Sequence, residues 1–220
     1  MKKAMARGIK VVSFDSAVRK DGRLMHLAPS SNALIGQKLV TMAEDAVGKT
    51  GEVAVLSATA QATNQNAWIA EMKTVLAQPA HSGLKLVSVV YGDDQTDKSY
   101  PNLKAIIAPT TVGVAAAAKA VQDEKKVGKI FVTGLGLPSE MAGHVKSGAV
   151  KSFAIWNPID LGYSATMIAY DLIGGAEAKP GAELKMGRMG TVKLDDNNEG
   201  AMADPFVYDA KNVEEFAKIF

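Results

Sequence analysis

Apolar runs of strand length alternate with helical stripes along most of the chain. Candidate strands are Ile9–Phe14, Met25–Ala28, Glu52–Ser57, Lys85–Tyr91, Lys104–Ala108, Lys129–Thr133 and Val150–Trp156. Several are continuous β-branched runs, the pattern of strands covered on both faces. Between them lie helical patterns. Leu34, Ile35, Leu39, Met42 and Ala46 form one stripe, with Ser31 or Asn32 able to cap it and Gly48 to end it. A second helix carries Trp68, Met72, Val75 and Leu76 inward after a cap at Thr63 or Asn64. An alanine-rich third follows Thr110 or Thr111 and runs to Lys125 and Lys126, whose charges suit a helix C-terminus. Shorter helices are predicted over Ser139–Lys146 and Leu161–Ile173. Strand–helix–strand alternation predicts an α/β fold with parallel, doubly wound sheets.

Three stretches depart from that rhythm. The connection Gly92–Leu103, GDDQTDKSYPNL, is polar and carries no helical stripe. A parallel crossover needs about a dozen residues or more, usually with a helix. Either the flanking strands are not ordinary neighbours or a crossover helix is missing near 93–103. Past Gly175 the chain is rich in Gly, Pro and Asp, with one short strand-like piece at Thr191–Leu194 and a final helical turn in NVEEFAKIF, capped by Asp209 or Asn212. At the start, Arg7 and Gly8 interrupt what would be the apolar region of a secretion signal. MKKAMA reads instead as the end of a helix.

Composition narrows the function classes. A net charge of +2 makes no electrostatic case for nucleic acid. With no cysteine, disulfides, thiolate zinc sites, iron–sulfur clusters and cysteine nucleophiles are excluded. His26, His81 and His144 are scattered and have no metal-ligand spacing. Asp93, Asp94 and Asp97 lack the glycine and closing glutamate of a calcium loop. GLGLPS (134–139) lacks the third glycine of a dinucleotide turn, and Pro138 removes an N–H.

Ligands of open α/β sheets bind beyond the carboxyl ends of the strands. That rule selects Asp15 and Ser16, Pro29 and Ser30, Ser57 with the stretch to Asn64, Gln65 and Asn66, then Pro109, Thr110 and Thr111, and finally Trp156 and Asn157. The set holds amides, hydroxyls, one carboxylate and an indole, without a base paired to a nucleophile. Such groups suit a polyhydroxylated ligand, with the indole against the apolar face of a sugar ring. Each has a plainer reading. Asp15 and Ser16 fit a turn, Asn64 and the threonines fit helix caps, and Trp68 and Trp156 fit a core.

GIKVVSFDS, ATNQNAW, LKAIIAPTT and FAIWNPIDLG, in this order, resemble the type I periplasmic sugar-binding proteins of ABC transporters, the rhamnose-binding and autoinducer-receptor subgroup nearest. The resemblance covers essentially all 220 residues. It implies two α/β lobes joined by three hinge crossings, with ligand clamped between them. It also implies roles by position. Asp15 would bond sugar hydroxyls from the N-terminal lobe. Asn64 and Gln65 would contact ligand from the start of a C-lobe helix, and Pro109 and Thr111 would line the pocket. Trp156 and Asn157 would act at a hinge. A further family aspartate would fall near Gly136, where this chain has no carboxylate.

By the same resemblance the N-terminal lobe is incomplete, with its remnant at 1–29 and 158–190 and the C-terminal lobe at 30–157 and 191–220. A chain lacking one jaw is expected to bind sugar weakly or not at all. The implied function is the substrate-binding component of a sugar importer, not an enzyme, with no cofactor. Its partners would be a small rhamnose-like sugar and a membrane permease, and its place the periplasm. The alternative is the effector-binding domain of a sugar-responsive repressor, which shares this fold.

Overall fold

The computed structural model describes residues 1–92 and 102–220. In chain order the elements are α1 (Lys2–Met5), β1 (Val12–Phe14), β2 (Met25–Ala28), α2 (Asn32–Val47), β3 (Gly51–Ser57), α3 (Thr63–Leu76), β4 (Leu84–Tyr91), β5 (Leu103–Ala108), α4 (Thr111–Asp123), β6 (Phe131–Gly134), α5 (Pro138–Lys146), β7 (Ser152–Ile155), α6 (Pro158–Ile173), β8 (Glu183–Lys185), β9 (Thr191–Lys193), β10 (Glu199–Ala201), β11 (Phe206–Asp209) and α7 (Val213–Phe216). They form two units, Met1–Ser31 with Trp156–Pro205 and Asn32–Ile155 with Phe206–Phe220.

The second unit is built on the parallel sheet β4-β3-β5-β6. Single parallel bridges, Val132 with Val150 and Leu135 with Ala154, bring the β7 segment beside β6. β11 pairs antiparallel with β7. Consecutive residues Val53, Ala54 and Val55 are all buried, so both faces of β3 are covered, as its unbroken apolar run predicts. α2 and α3 pack on each other, and α4 packs on β3, β5 and β6. Gly36 allows the first of these contacts. A Cβ there would come within 2.5 Å of the Glu71 Cβ. Phe153, Tyr208, Phe206 and Phe216 close the unit with stacked and edge-on rings.

The first unit is smaller. Its sheet, β1-β2-β10, is wholly parallel, with Ser13, His26 and Glu199 in one register row. Helix α6 packs on β1, and the β8–β9 hairpin packs on α6. The guanidinium of Arg23, buried, ion-pairs with Glu199 and also donates to the Val18 carbonyl at 3.0 Å.

Several sequence expectations are corrected. Residues 191–205 belong to the first unit, because β10 completes the β1–β2 sheet. β8, β10 and β11 are not predicted as strands: ELK and EGA each hold one apolar side chain, and FVYD follows directly on a Gly-, Pro- and Asp-rich stretch. The cap at α3 is Ala62, with no side-chain bond, so neither Thr63 nor Asn64 caps it. Thr110 precedes α4 in extended backbone, also without a side-chain cap. The strand Val150–Trp156 is shorter, leaving Trp156 and Asn157 to begin the α6 segment. On the connection after Tyr91, β4 and β5 are not neighbours, since β3 lies between them. Asp93, Asp94, Asp97 and most of the span read as a missing crossover helix lie outside the described residues.

Candidate functional site

In the second unit, parallel pairing carries the ends of β3, β5 and β6 to the same edge of the sheet. Ser57 and Ala58 leave β3, Ala108 and Pro109 leave β5, and Gly134 ends β6. The loop from β3 to α3 is held by one side chain. Gln65 Oε1 accepts hydrogen bonds from the Ser57 hydroxyl and from the Ala58 N–H, both at 2.9 Å. Beside it, Asn64 Oδ1 accepts from the Gln65 N–H at 2.8 Å. Asn66 Nδ2 donates to the Ala60 carbonyl at 2.8 Å, stiffening the same loop. On the neighbouring strand, Pro109 is buried and Thr111 opens α4, half-buried. The structure therefore brings Asn64, Gln65, Pro109 and Thr111 to adjacent strand ends, at the N-termini of two helices.

In the first unit, Asp15 follows β1 directly. Its N–H continues the ladder to the Leu27 carbonyl at 3.2 Å, and its φ of +62° lies in the left-handed region. An L-residue there is uncommon, though aspartate is among the side chains that tolerate it best. Ser16 donates to the Asp15 carboxylate at 3.4 Å. Asn157 caps α6, its Oδ1 accepting from the N–H groups of Ile159 at 2.9 Å and Asp160 at 3.3 Å. Trp156, just before it, is buried. Trp68 is buried too, and its indole N–H donates to Asn32 Oδ1 at 2.9 Å, as a core residue with a polar tip does.

The three amides share a polarity that the sequence does not show. Backbone N–H groups can only donate, so each amide oxygen is fixed as the atom facing them. Asn64, Gln65 and Asn157 all have their oxygens engaged by the backbone. Ser57 enters the sequence reading only as a strand-end position; its part in anchoring Gln65 depends on tertiary geometry.

Other chemistry finds little support. Ser13 and His26 form a hydroxyl–imidazole pair at 3.0 Å, but both are buried within the sheet rather than beyond its strand ends. The burial of His26 pushes its pKa below the ordinary value, against the opposing charge of Glu199. Among the described residues no three His, Asp or Glu side chains gather as a metal-binding group. Gly134 is explained by packing, since a Cβ would strike the Ala108 backbone.

Residues 1–177 match the model of the periplasmic binding protein domain. A sugar ABC transporter protein from Actinomyces odontolyticus is 37% identical, with a TM-score of 0.81 over 98% of this chain and 73% of that one. An ABC transporter solute-binding protein from Clostridium phytofermentas, solved with bound L-rhamnose, is 35% identical. It has a TM-score of 0.87 over 99% of this chain and 75% of its own. LsrB from Clostridium saccharobutylicum, solved with AI-2, shares the fold at 18% identity and a TM-score of 0.83, over 98% of this chain and 77% of its own. The chain thus spans about three quarters of the length of these proteins.

Proposed function

The chain belongs to the periplasmic binding protein domain family, and we propose that it is the substrate-binding component of an ABC importer for a small, rhamnose-like sugar. Its two α/β units, with their parallel sheets, have the type I periplasmic-binding-protein fold. In the proposed role it works outside the cytoplasmic membrane and delivers sugar to a membrane permease. It binds rather than transforms its ligand.

The strand-end chemistry supports this most directly. In the second unit the amides of Asn64 and Gln65, their oxygens held by the backbone, stand at strand ends with neutral Pro109 and Thr111; in the first, the Asn157 amide and the Asp15 carboxylate offer the same kinds of group. Amide donors and a carboxylate acceptor match the alternating demands of sugar hydroxyls. The 35% identical relative that holds L-rhamnose favours a deoxy sugar within that class.

The test is an NMR titration of the 220-residue chain with L-rhamnose, D-arabinose and D-ribose at millimolar concentration, where weak binding is still visible. Saturable shifts at the β3–α3 and β5–α4 loops, lost in Gln65→Ala, are the expected result. No saturable shift with any neutral sugar overturns the proposal.

A further inference from the structure

We infer that Ser57 is a positioning residue that, with the Ala58 N–H, locks the Gln65 carboxamide so that Nε2 rather than Oε1 is offered to ligand. Ser57 is fully buried and Gln65 is 9% exposed. A buried hydroxyl needs a partner, and that of Ser57 finds one in Gln65 Oε1. Flipping the amide would set Nε2 hydrogens against the Ala58 N–H, donor against donor. The orientation therefore follows from a backbone donor that cannot reverse its role.

Among the described residues, Nε2 makes no hydrogen bond and is not one of the buried unpaired side-chain atoms. It therefore keeps access to solvent. A ligand meeting it must supply an acceptor, such as a hydroxyl, ring or carbonyl oxygen. The ammonium of an amino sugar, which only donates, is disfavoured. This consequence rests on the proposed sugar-binding role of Gln65; the anchoring itself does not.

The two are separable by experiment on the full chain. Scalar coupling across the hydrogen bond, from the Ala58 nitrogen to the Gln65 side-chain carbonyl carbon, reports the anchoring without ligand. It is expected in the wild type and in Ser57→Thr, and reduced in Ser57→Ala while the remaining backbone spectrum is unchanged. Full-strength coupling in Ser57→Ala, or none in the wild type, overturns the inference. With L-rhamnose, Ser57→Ala is expected to weaken binding roughly three- to tenfold, the worth of one neutral hydrogen bond, and Ser57→Thr to restore it. Gln65→Glu shifts preference from L-rhamnose toward its amino-sugar analogue. Unchanged preference in Gln65→Glu counts against the polarity argument. If the coupling behaves as expected while L-rhamnose moves no strand-end signal in the wild type, the anchoring stands and the sugar proposal falls.

Discussion

Ser13 and His26 lie opposite each other on the β1–β2 ladder, the serine hydroxyl 3.0 Å from the imidazole Nδ1. Burial holds the His26 pKa below its ordinary 6.5; Glu199 and Asp15 pull it up, and Arg23 adds to the lowering. The unfolded chain therefore takes up this proton first as pH falls through about 6.5. Stability is lost from there downward, until the folded imidazole also protonates. Urea midpoints measured from neutral to mildly acidic pH should fall, and His26→Gln should flatten part of that slope. Equal slopes in the two proteins would refute the assignment.

Asp15 combines a left-handed backbone, φ +62°, with the proposed ligand carboxylate. Asp15→Gly should relieve the backbone strain and stabilise the chain by up to about 1 kcal/mol, since glycine enters that region freely. It should also weaken sugar binding at least about tenfold by deleting a charge-assisted hydrogen bond. Opposite signs in the melting temperature and the affinity are the expected pair. A loss of both would show that the carboxylate holds the turn itself.

Arg23 is buried at the Glu199 ion pair and also serves the Val18 carbonyl. Glu199 is itself about one-third exposed, which limits the cost of losing its partner. Arg23→Met should lower unfolding free energy by about 2 kcal/mol, mainly through unpaired polar groups. Denaturant unfolding followed by circular dichroism measures this. A change under about 0.5 kcal/mol would show that the pair is solvated.

Gly36 lets α2 lie close against α3 at Glu71. Gly36→Val should destabilise by roughly 2 kcal/mol or more, because the inserted methyls force two packed helices apart. Thermal unfolding checks it. Gly143→Ala, with nothing within 4 Å of the added Cβ and a helical position, should be neutral or slightly stabilising.

Long elements were legible in the sequence. The apolar stripe of α2 and the β-branched runs of β3, β4 and β5 announced both type and place, because a repeat of 3.6 or an unbroken run needs only local residues to be recognised. The short strands β8, β10 and β11 were not legible, since ELK and EGA each hold a single apolar side chain and FVYD follows directly on a Gly-, Pro- and Asp-rich stretch. The caps were poorly readable. Asn157, read only as a strand-end and hinge position, caps α6, while Asn64, read as a possible cap, lies inside its helix with its oxygen turned to the Gln65 N–H.

The sequence by itself determined the alternation of strands and helices, the candidate residues at strand ends and the likeness to sugar-binding proteins. These depend on neighbours a few residues apart. Tertiary structure alone decided that β10 joins β2 across more than 170 residues of chain, that residues 191–205 belong to the first unit, and which way the Gln65 amide faces. Strand pairing selects partners by shape and backbone hydrogen bonding between distant segments. The amide's direction is set by an N–H that the folded β3–α3 loop brings within 2.9 Å.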